Sequence, residues 1–142
     1  MFLVSSALFF LSCSERSSTS PFYKIPIYEL KATVTAKLVT EDGQPLIGTV
    51  VEGYYFSCGT LGRRYSLCSS QSKTNNTGTT EPALRLIAIN NKPIGYFELW
   101  AVHDSDSSRE YYSVETYSFK DRDSLNITAV MRAIEVPTVG EE

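Results

Sequence analysis

Apolar and polar residues alternate with a period of two along most of the chain beyond residue 30. Over residues 31–38, alanine, valine and leucine occupy the even-numbered positions, and threonine and lysine occupy the positions between them. Because successive side chains of a strand point to opposite faces, this alternation predicts a strand with one buried face. Similar patterns predict strands over residues 46–56, 65–68, 83–89, 95–103, 111–119 and 125–131. No helical period persists over a length that would predict a helix.

Turn residues separate the predicted strands. The six prolines are Pro21, Pro26, Pro45, Pro82, Pro93 and Pro137. All of them fall outside the strand interiors, as expected for a residue that lacks the N–H needed in a sheet ladder. Gly48 and Gly53 lie within the second predicted strand and indicate a bulge or a close backbone approach there. The spacing predicts an all-β fold, a β-sandwich of about seven strands over residues 31–135, followed by a tail over 136–142.

Several aromatic residues are predicted on an outer face of this fold. The strand over residues 95–103 carries Phe97 and Leu99 on one face and Tyr96 and Trp100 on the other. The tyrosine pairs at 54–55 and 111–112 each turn one ring outward for the same reason. The predicted outer set is Tyr54, Tyr96, Trp100 and Tyr112. One hypothesis is a platform for a protein or glycan ligand. The alternative is cross-strand aromatic pairing that only stabilises the sheet.

The size and charge of the chain limit the classes of partner that it is expected to bind. Its 142 residues correspond to one domain. Thirteen Lys and Arg residues are scattered among 16 Asp and Glu residues, giving a formal net charge of −3. Nucleic-acid-binding proteins concentrate basic residues to neutralise phosphates, so no nucleic-acid partner is expected. Hydrophobic residues make up 42% of the chain, which is enough for a packed core.

The start of the chain resembles the export signal of a bacterial lipoprotein. The first eleven residues are uncharged and mainly apolar, too short a run to span a bilayer but typical of the core of a signal peptide. Ser12 precedes Cys13, as a small residue precedes the lipidated cysteine in that family. The resemblance implies a signal peptide over residues 1–12, lipidation at Cys13, a tether over 13–30 and a membrane-anchored protein of the cell envelope. Ordinary cleavage after Ser14, giving a secreted protein, is the alternative.

Cys58 and Cys68 remain as a pair once Cys13 is lipidated or removed. They lie ten residues apart with Gly59 and Gly62 between them, and an oxidising compartment favours a disulfide across such a loop. In the chain-entropy model, closing a loop this short contributes about 2 to 3 kcal/mol. A metal site would need further ligands nearby, and a catalytic thiol would need a histidine base, so a disulfide is the preferred interpretation.

The body of the chain has its own family resemblance. Residues 35–51, with Asp-Gly-Gln-Pro-Leu over 42–46, resemble the opening hairpin of carboxypeptidase-regulatory-like, or transthyretin-like, domains. Residues 73–80 are similar to that family's later glycine turn, and residues 94–101 are similar to its Gly-Tyr-x-Leu strand. The resemblance implies an Ig-like or prealbumin-like Greek-key sandwich of seven strands in two sheets. Most such domains are accessory or binding modules, so it implies no particular chemistry.

His103, the only histidine, is followed by Asp104 and Asp106. This stretch is either a metal or acid–base site or a polar hairpin loop at the end of a strand. A single histidine excludes sites that need two, and the chain has no Gly-x-Ser-x-Gly motif, phosphate loop or dinucleotide fingerprint. These patterns favour a non-catalytic binding or structural module at the bacterial cell envelope, with no cofactor. The alternative is a small secreted hydrolase or metal-dependent enzyme centred on His103 and Asp104.

Overall fold

The computed structural model describes residues 26–55 and 65–134, and all of their regular structure is strand. The strands are β1 (Tyr28–Thr40), β2 (Thr49–Tyr54), β3 (Ser66–Ser69), β4 (Gln71–Thr74), β5 (Thr80–Glu81), β6 (Leu84–Asn90), β7 (Gly95–His103), β8 (Glu110–Ser113), β9 (Tyr117–Phe119) and β10 (Asp123–Ala133). The predicted all-β class is confirmed. The predicted signal peptide, Cys13, Cys58 and the C-terminal tail lie outside the described residues.

The first strand is longer than its sequence pattern predicts. β1 begins at Tyr28 rather than at residue 31, and its first residues pair with the end of β6, Tyr28 opposite Asn90 and Leu30 opposite Ala88. Leu30 is buried and continues the alternation toward the N-terminus. Exposed charged side chains flank Leu30 in the sequence. The sequence pattern therefore does not reveal that the strand starts before residue 31, although exposed and buried residues alternate there as they do in the rest of the strand.

The strands form one mixed sheet that curls back on itself. Its order is β3-β6-β1-β10-β8-β7-β2-β4-β5, with β9 pairing the first residues of β7. β1 and β10 pair in parallel, and the other ladders are antiparallel. The far end of the order returns to β1, where Leu38 N donates to Gly78 O at 2.8 Å and Ala36 N donates to Thr80 Oγ1 at 3.0 Å. The curled sheet therefore encloses one core.

That core is built from the alternating inner faces of the long strands. Phe97 and Leu99 of β7, Leu84 and Leu86 of β6 and Val34 of β1 are almost completely buried. Burying each such side chain contributes about 1.5 to 3 kcal/mol. The alternation predicted for β7 is confirmed, since its inward residues are buried and its outward residues are half-buried.

The predicted close approach in the second strand is confirmed at Gly53. A Cβ atom at Gly53 would lie 2.9 Å from Leu86 Cδ2, and Gly53 N donates to Ser69 Oγ at 2.9 Å. Only glycine leaves room for β2 to pass this close to β3 and β6. Gly48 differs, because it lies just before β2 with φ +69° and no side chain would clash there.

The described residues 26–55 and 65–134 contain ten strands, where the sequence predicted about seven for the domain. The segment predicted as one strand over 111–119 divides, because Ser113 Oγ accepts from Leu99 N at 3.0 Å and donates to Glu115 O at 2.9 Å. The Ser113 hydroxyl thus takes the place of a backbone group in the ladder, and the chain turns between β8 and β9. The polar stretch before Pro82 also forms strands, since Thr74 is buried and accepts from Thr49 N at 2.9 Å. Buried hydroxyl groups with internal partners follow no apolar alternation, so the pattern misses them.

Candidate functional site

An open groove of about 500 Å³ lies on the outer face of the sheet. Its lining comes from three neighbouring strands and the residue after a fourth: Tyr54 of β2, Trp100 of β7, Tyr112 of β8 and Ile134. We call these four residues the aromatic groove. Its volume is within the range of small-molecule sites, about 300 to 1,000 Å³.

Strand register brings these side chains together. Trp100 lies opposite Tyr112 on one side and opposite Glu52 on the other. Tyr54 lies opposite Glu98, one outward position along β7 from Trp100. Because the intervening residues of β7 are buried in the core, Trp100 and Glu98 are held on the outer face. The groove is thus positioned by a strand whose inner face is packed in the core.

The rings of the aromatic groove do not stack on one another. No ring contact joins Tyr54, Trp100 and Tyr112 in the described part of the chain, although two of them are directly opposed in the ladder. Cross-strand aromatic pairing would place such rings in contact, with centroids about 4.5 to 7 Å apart. The three half-buried rings leave a space between them instead.

Tyr96, the fourth predicted member of the platform, belongs to a different group. Its ring centroid lies 5.9 Å from that of Tyr55 and 6.3 Å from that of Tyr65, and the rings of Tyr55 and Tyr65 are 5.3 Å apart. The Tyr65 hydroxyl donates to Tyr96 O and accepts from Tyr96 N, the latter at 2.7 Å. We call Tyr55, Tyr65 and Tyr96 the tyrosine cluster. Its rings and its Tyr65 hydroxyl have partners within the protein.

Carboxylates border the aromatic groove. Glu98 accepts a hydrogen bond from Thr116 Oγ1 at 2.6 Å, and its charge also acts on the Tyr54 hydroxyl. Partial burial, and then the hydrogen bond and negative charge of Glu98, raise the pKa of Tyr54 to about 12. Glu52 accepts from Gln71 Nε2 at 3.4 Å. Both carboxylates are therefore bonded to neutral donors, which leave their negative charge uncompensated.

The cation nearest the groove is already paired. Arg132 lies opposite Tyr112 in the ladder between β10 and β8. Arg132 Nη2 also lies 2.9 Å from Glu41 Oε2, and this hydrogen bond is the main cause that raises the pKa of Arg132. The pair therefore adds no net charge beside the groove.

The predicted alternative site around His103 has its polar groups in local hydrogen bonds and in an ion pair with β4. His103 Nδ1 accepts from Ser105 N at 3.2 Å at the end of β7. Asp104 forms an ion pair with Lys73 at 2.6 Å, and Lys73 lowers the pKa of that carboxyl group. In residues 26–55 and 65–134, no three His, Cys, Asp or Glu side chains are grouped to hold a metal ion. The predicted loop conformation after β7 agrees with this geometry.

Cys68 lies on β3, opposite Ile87 of β6. Its predicted disulfide partner, Cys58, lies outside the described residues, so the bridge stays a prediction.

Sequence reasoning found three of the four groove residues and missed the fourth. Ile134 lines the groove because Ile134 N donates to Glu110 O at 2.8 Å, which extends the β10 register by one residue. The outward alternation of β10, continued past Arg132, could have predicted it. Glu98 shares the outer face of β7 with Tyr96 and Trp100 by the same alternation, but its position opposite Tyr54 depends on the register of β2 against β7, which local patterns do not predict.

Comparison of the chain with protein-family models and with curated proteins finds no match. Within the two described stretches, no helix is long and apolar enough to cross a membrane.

Proposed function

We propose that this protein is a non-catalytic ligand-binding module of the bacterial cell envelope and that the aromatic groove is its binding site. We further propose that it is exported as a lipoprotein with Cys13 as its lipidated residue, and that its curled sheet is a Greek-key β-sandwich of the carboxypeptidase-regulatory-like type. The lipoprotein resemblance of residues 1–13 and the sandwich resemblance of residues 31–131 support these parts.

One observation carries the binding function: three aromatic side chains border one groove, and within the described residues none of their rings is stacked on another. Aromatic rings stabilise a sheet when they contact their neighbours across the strands. Rings that are held apart on well-packed strands lose that stabilisation and keep their surfaces available to a ligand. The surrounding carboxylates supply hydrogen-bond acceptors of fixed position.

Replacement of Trp100 tests the binding function. We expect the purified protein to retain a ligand from a panel of small molecules, glycans and peptides, and Trp100→Ala to weaken that binding about tenfold, since a ring contact is worth about 0.5 to 1.5 kcal/mol beyond its buried area. Isothermal titration calorimetry measures the loss. Tyr28→Ala is the matched control, because Tyr28 is a 37% exposed ring on β1 away from the groove.

Equal affinity of the Trp100→Ala variant and the unmodified protein, for every ligand retained, would contradict the assignment of the groove. Loss of affinity in the Tyr28→Ala control would do the same, because it would place the ligand elsewhere.

The intact mass of the mature protein from the membrane fraction tests the envelope location. We expect a chain that begins at Cys13 with the added mass of acyl groups, and a gain of two hydrogens on reduction if Cys58 and Cys68 are bridged. An unmodified chain that begins after Ser14 would instead make the protein freely secreted or periplasmic. Soluble ligands, rather than components of the membrane surface, would then be the ones to test.

A further inference from the structure

We propose that the ligand of the aromatic groove is a small organic cation, a quaternary ammonium compound of the choline type. This inference rests on the proposed binding function and specifies the chemistry of the ligand. It follows from the combination of unstacked rings with uncompensated carboxylates, each of which has been located independently in the structure.

The rings supply the first part of the recognition. Tryptophan and tyrosine attract cations through the negative faces of their rings, and quaternary ammonium groups are bound in aromatic cages by this effect. Trp100, Tyr54 and Tyr112 come from three adjacent strands and border the same space. Methyl groups on nitrogen also suit the apolar side of Ile134, which an inorganic cation would not use.

The charges supply the second part. Ion pairs within the described residues join Lys73 with Asp104, Arg122 with Asp121 and Arg132 with Glu41. None of these pairs includes Glu52 or Glu98, which flank Trp100 and Tyr54 in the register. Glu110 of β8 lies diagonal to Trp100 in the ladder between β7 and β8. It also has no ion-pair partner in the described part of the chain. The groove is therefore bordered by negative charge that a cationic ligand would neutralise.

Other ligand classes fit this arrangement less well. An anion would be repelled by Glu52 and Glu98, and Arg132 cannot offset them because it is paired with Glu41 at 2.9 Å. A neutral glycan gains nothing from uncompensated carboxylate charge. A protein partner would cover about 800 Å² of surface, whereas four side chains line this groove. A small soluble cation matches both the size and the charge.

The experiment uses Trp100 as its reporter, because it is the only tryptophan of the chain. Choline is titrated into the purified protein while tryptophan fluorescence is recorded, and the titration is repeated with the uncharged isostere in which carbon replaces the quaternary nitrogen. We expect choline to bind about tenfold more tightly than the isostere, since the two share shape and differ in charge. Added salt should weaken choline binding and leave the isostere unaffected.

Charge-removing variants locate the effect. Glu98→Gln and Glu52→Gln should each weaken choline binding about threefold to tenfold and weaken binding of the isostere by a smaller factor. Glu29→Gln, which removes the same charge from β1, is the matched control and should bind choline as the unmodified protein does. Retained near-ultraviolet circular dichroism would establish that each variant is folded.

Three outcomes would overturn the proposal. Equal affinity for choline and its isostere would make the groove a simple apolar site. A neutral glycan that depends on Trp100 while choline fails to bind would leave the proposed binding function intact and reject the cation. Binding to vesicles with choline headgroups, without binding of free choline, would mean that the protein recognises a lipid headgroup at the membrane surface rather than a soluble cation.

Discussion

The tyrosine cluster and the aromatic groove both draw rings from β7 and from the end of β2, yet the surroundings of their rings differ. In the cluster, ring centroids are 5.3 to 6.3 Å apart and the Tyr65 hydroxyl bonds to both backbone groups of Tyr96. In the groove, the rings are separate and a space of about 500 Å³ lies among them. One group has its partners inside the protein, and the other presents its surfaces outward.

Neither residue type nor sheet face assigns a role to an aromatic side chain in this protein. Tyr54 and Tyr55 are neighbours in the chain but belong to different groups. Tyr96 and Trp100 lie on the same face of β7, four residues apart, and are also divided between the groups. The partners of each ring decide its role, and those partners are set by strand register and by where each strand ends.

The largest effect that separates the two groups is expected on stability. Tyr65→Ala should lower the free energy of unfolding by about 3 kcal/mol, because it removes a ring packed against the core and leaves the Tyr96 N–H without its acceptor. Tyr112→Ala should cost about 1 kcal/mol or less, since a half-exposed groove residue gives up little packing. Urea unfolding of the two variants against the unmodified protein measures the contrast.

The effects on ligand binding should be the reverse of those on stability, with the larger loss from the groove variant. Tyr112→Ala should weaken ligand binding, whereas Tyr65→Phe, which keeps the ring and removes only the hydroxyl, should leave it unchanged. Equal destabilisation by Tyr65→Ala and Tyr112→Ala would mean that both groups serve the fold, and the comparison between them would fail.

Much of the fold follows from the alternation of side chains. The bounds of β7 are those predicted, and its inner and outer residues are assigned correctly. Gly43 and Gly78 lie in turns with φ near +90° and +84°, conformations that glycine adopts without strain. Local periodicity and turn chemistry suffice for these elements because each depends on neighbours in the chain.

The rest depends on distant contacts that no local pattern reports. The return of the sheet to β1 relies on long-range hydrogen bonds such as that from Ala36 N to Thr80 Oγ1, between residues 44 positions apart. The division of β8 from β9 depends on Ser113 bonding to a different strand. The groove has the same origin, since Tyr54 meets Glu98 through strand register alone. The alternation in the sequence predicts which rings face outward, but strand register determines which of them line the same groove.

The smallest and most specific contrast concerns the two tyrosines whose pKa values are raised to about 12 from 10.0. Burial is the main cause for both, but at Tyr54 the carboxylate of Glu98 adds to it, whereas at Tyr65 the hydrogen bond to Tyr96 acts in the opposite direction. Each hydroxyl loses its proton near pH 10 in the unfolded chain and near pH 12 in the folded one. The stability that each contributes is therefore fully present below pH 10 and is lost as the pH rises through 12.

Glu98→Gln should distinguish the two. Removing the charge should bring the pKa of Tyr54 part of the way back toward 10.0 and leave that of Tyr65 in place, because the carboxylate acts on Tyr54 alone. Ultraviolet titration of phenolate absorbance, with Tyr54→Phe and Tyr65→Phe to assign each transition, measures both values. A parallel fall at both tyrosines would show that the variant loosens the fold, whereas a fall at Tyr54 alone would tie the charge of Glu98 to the groove.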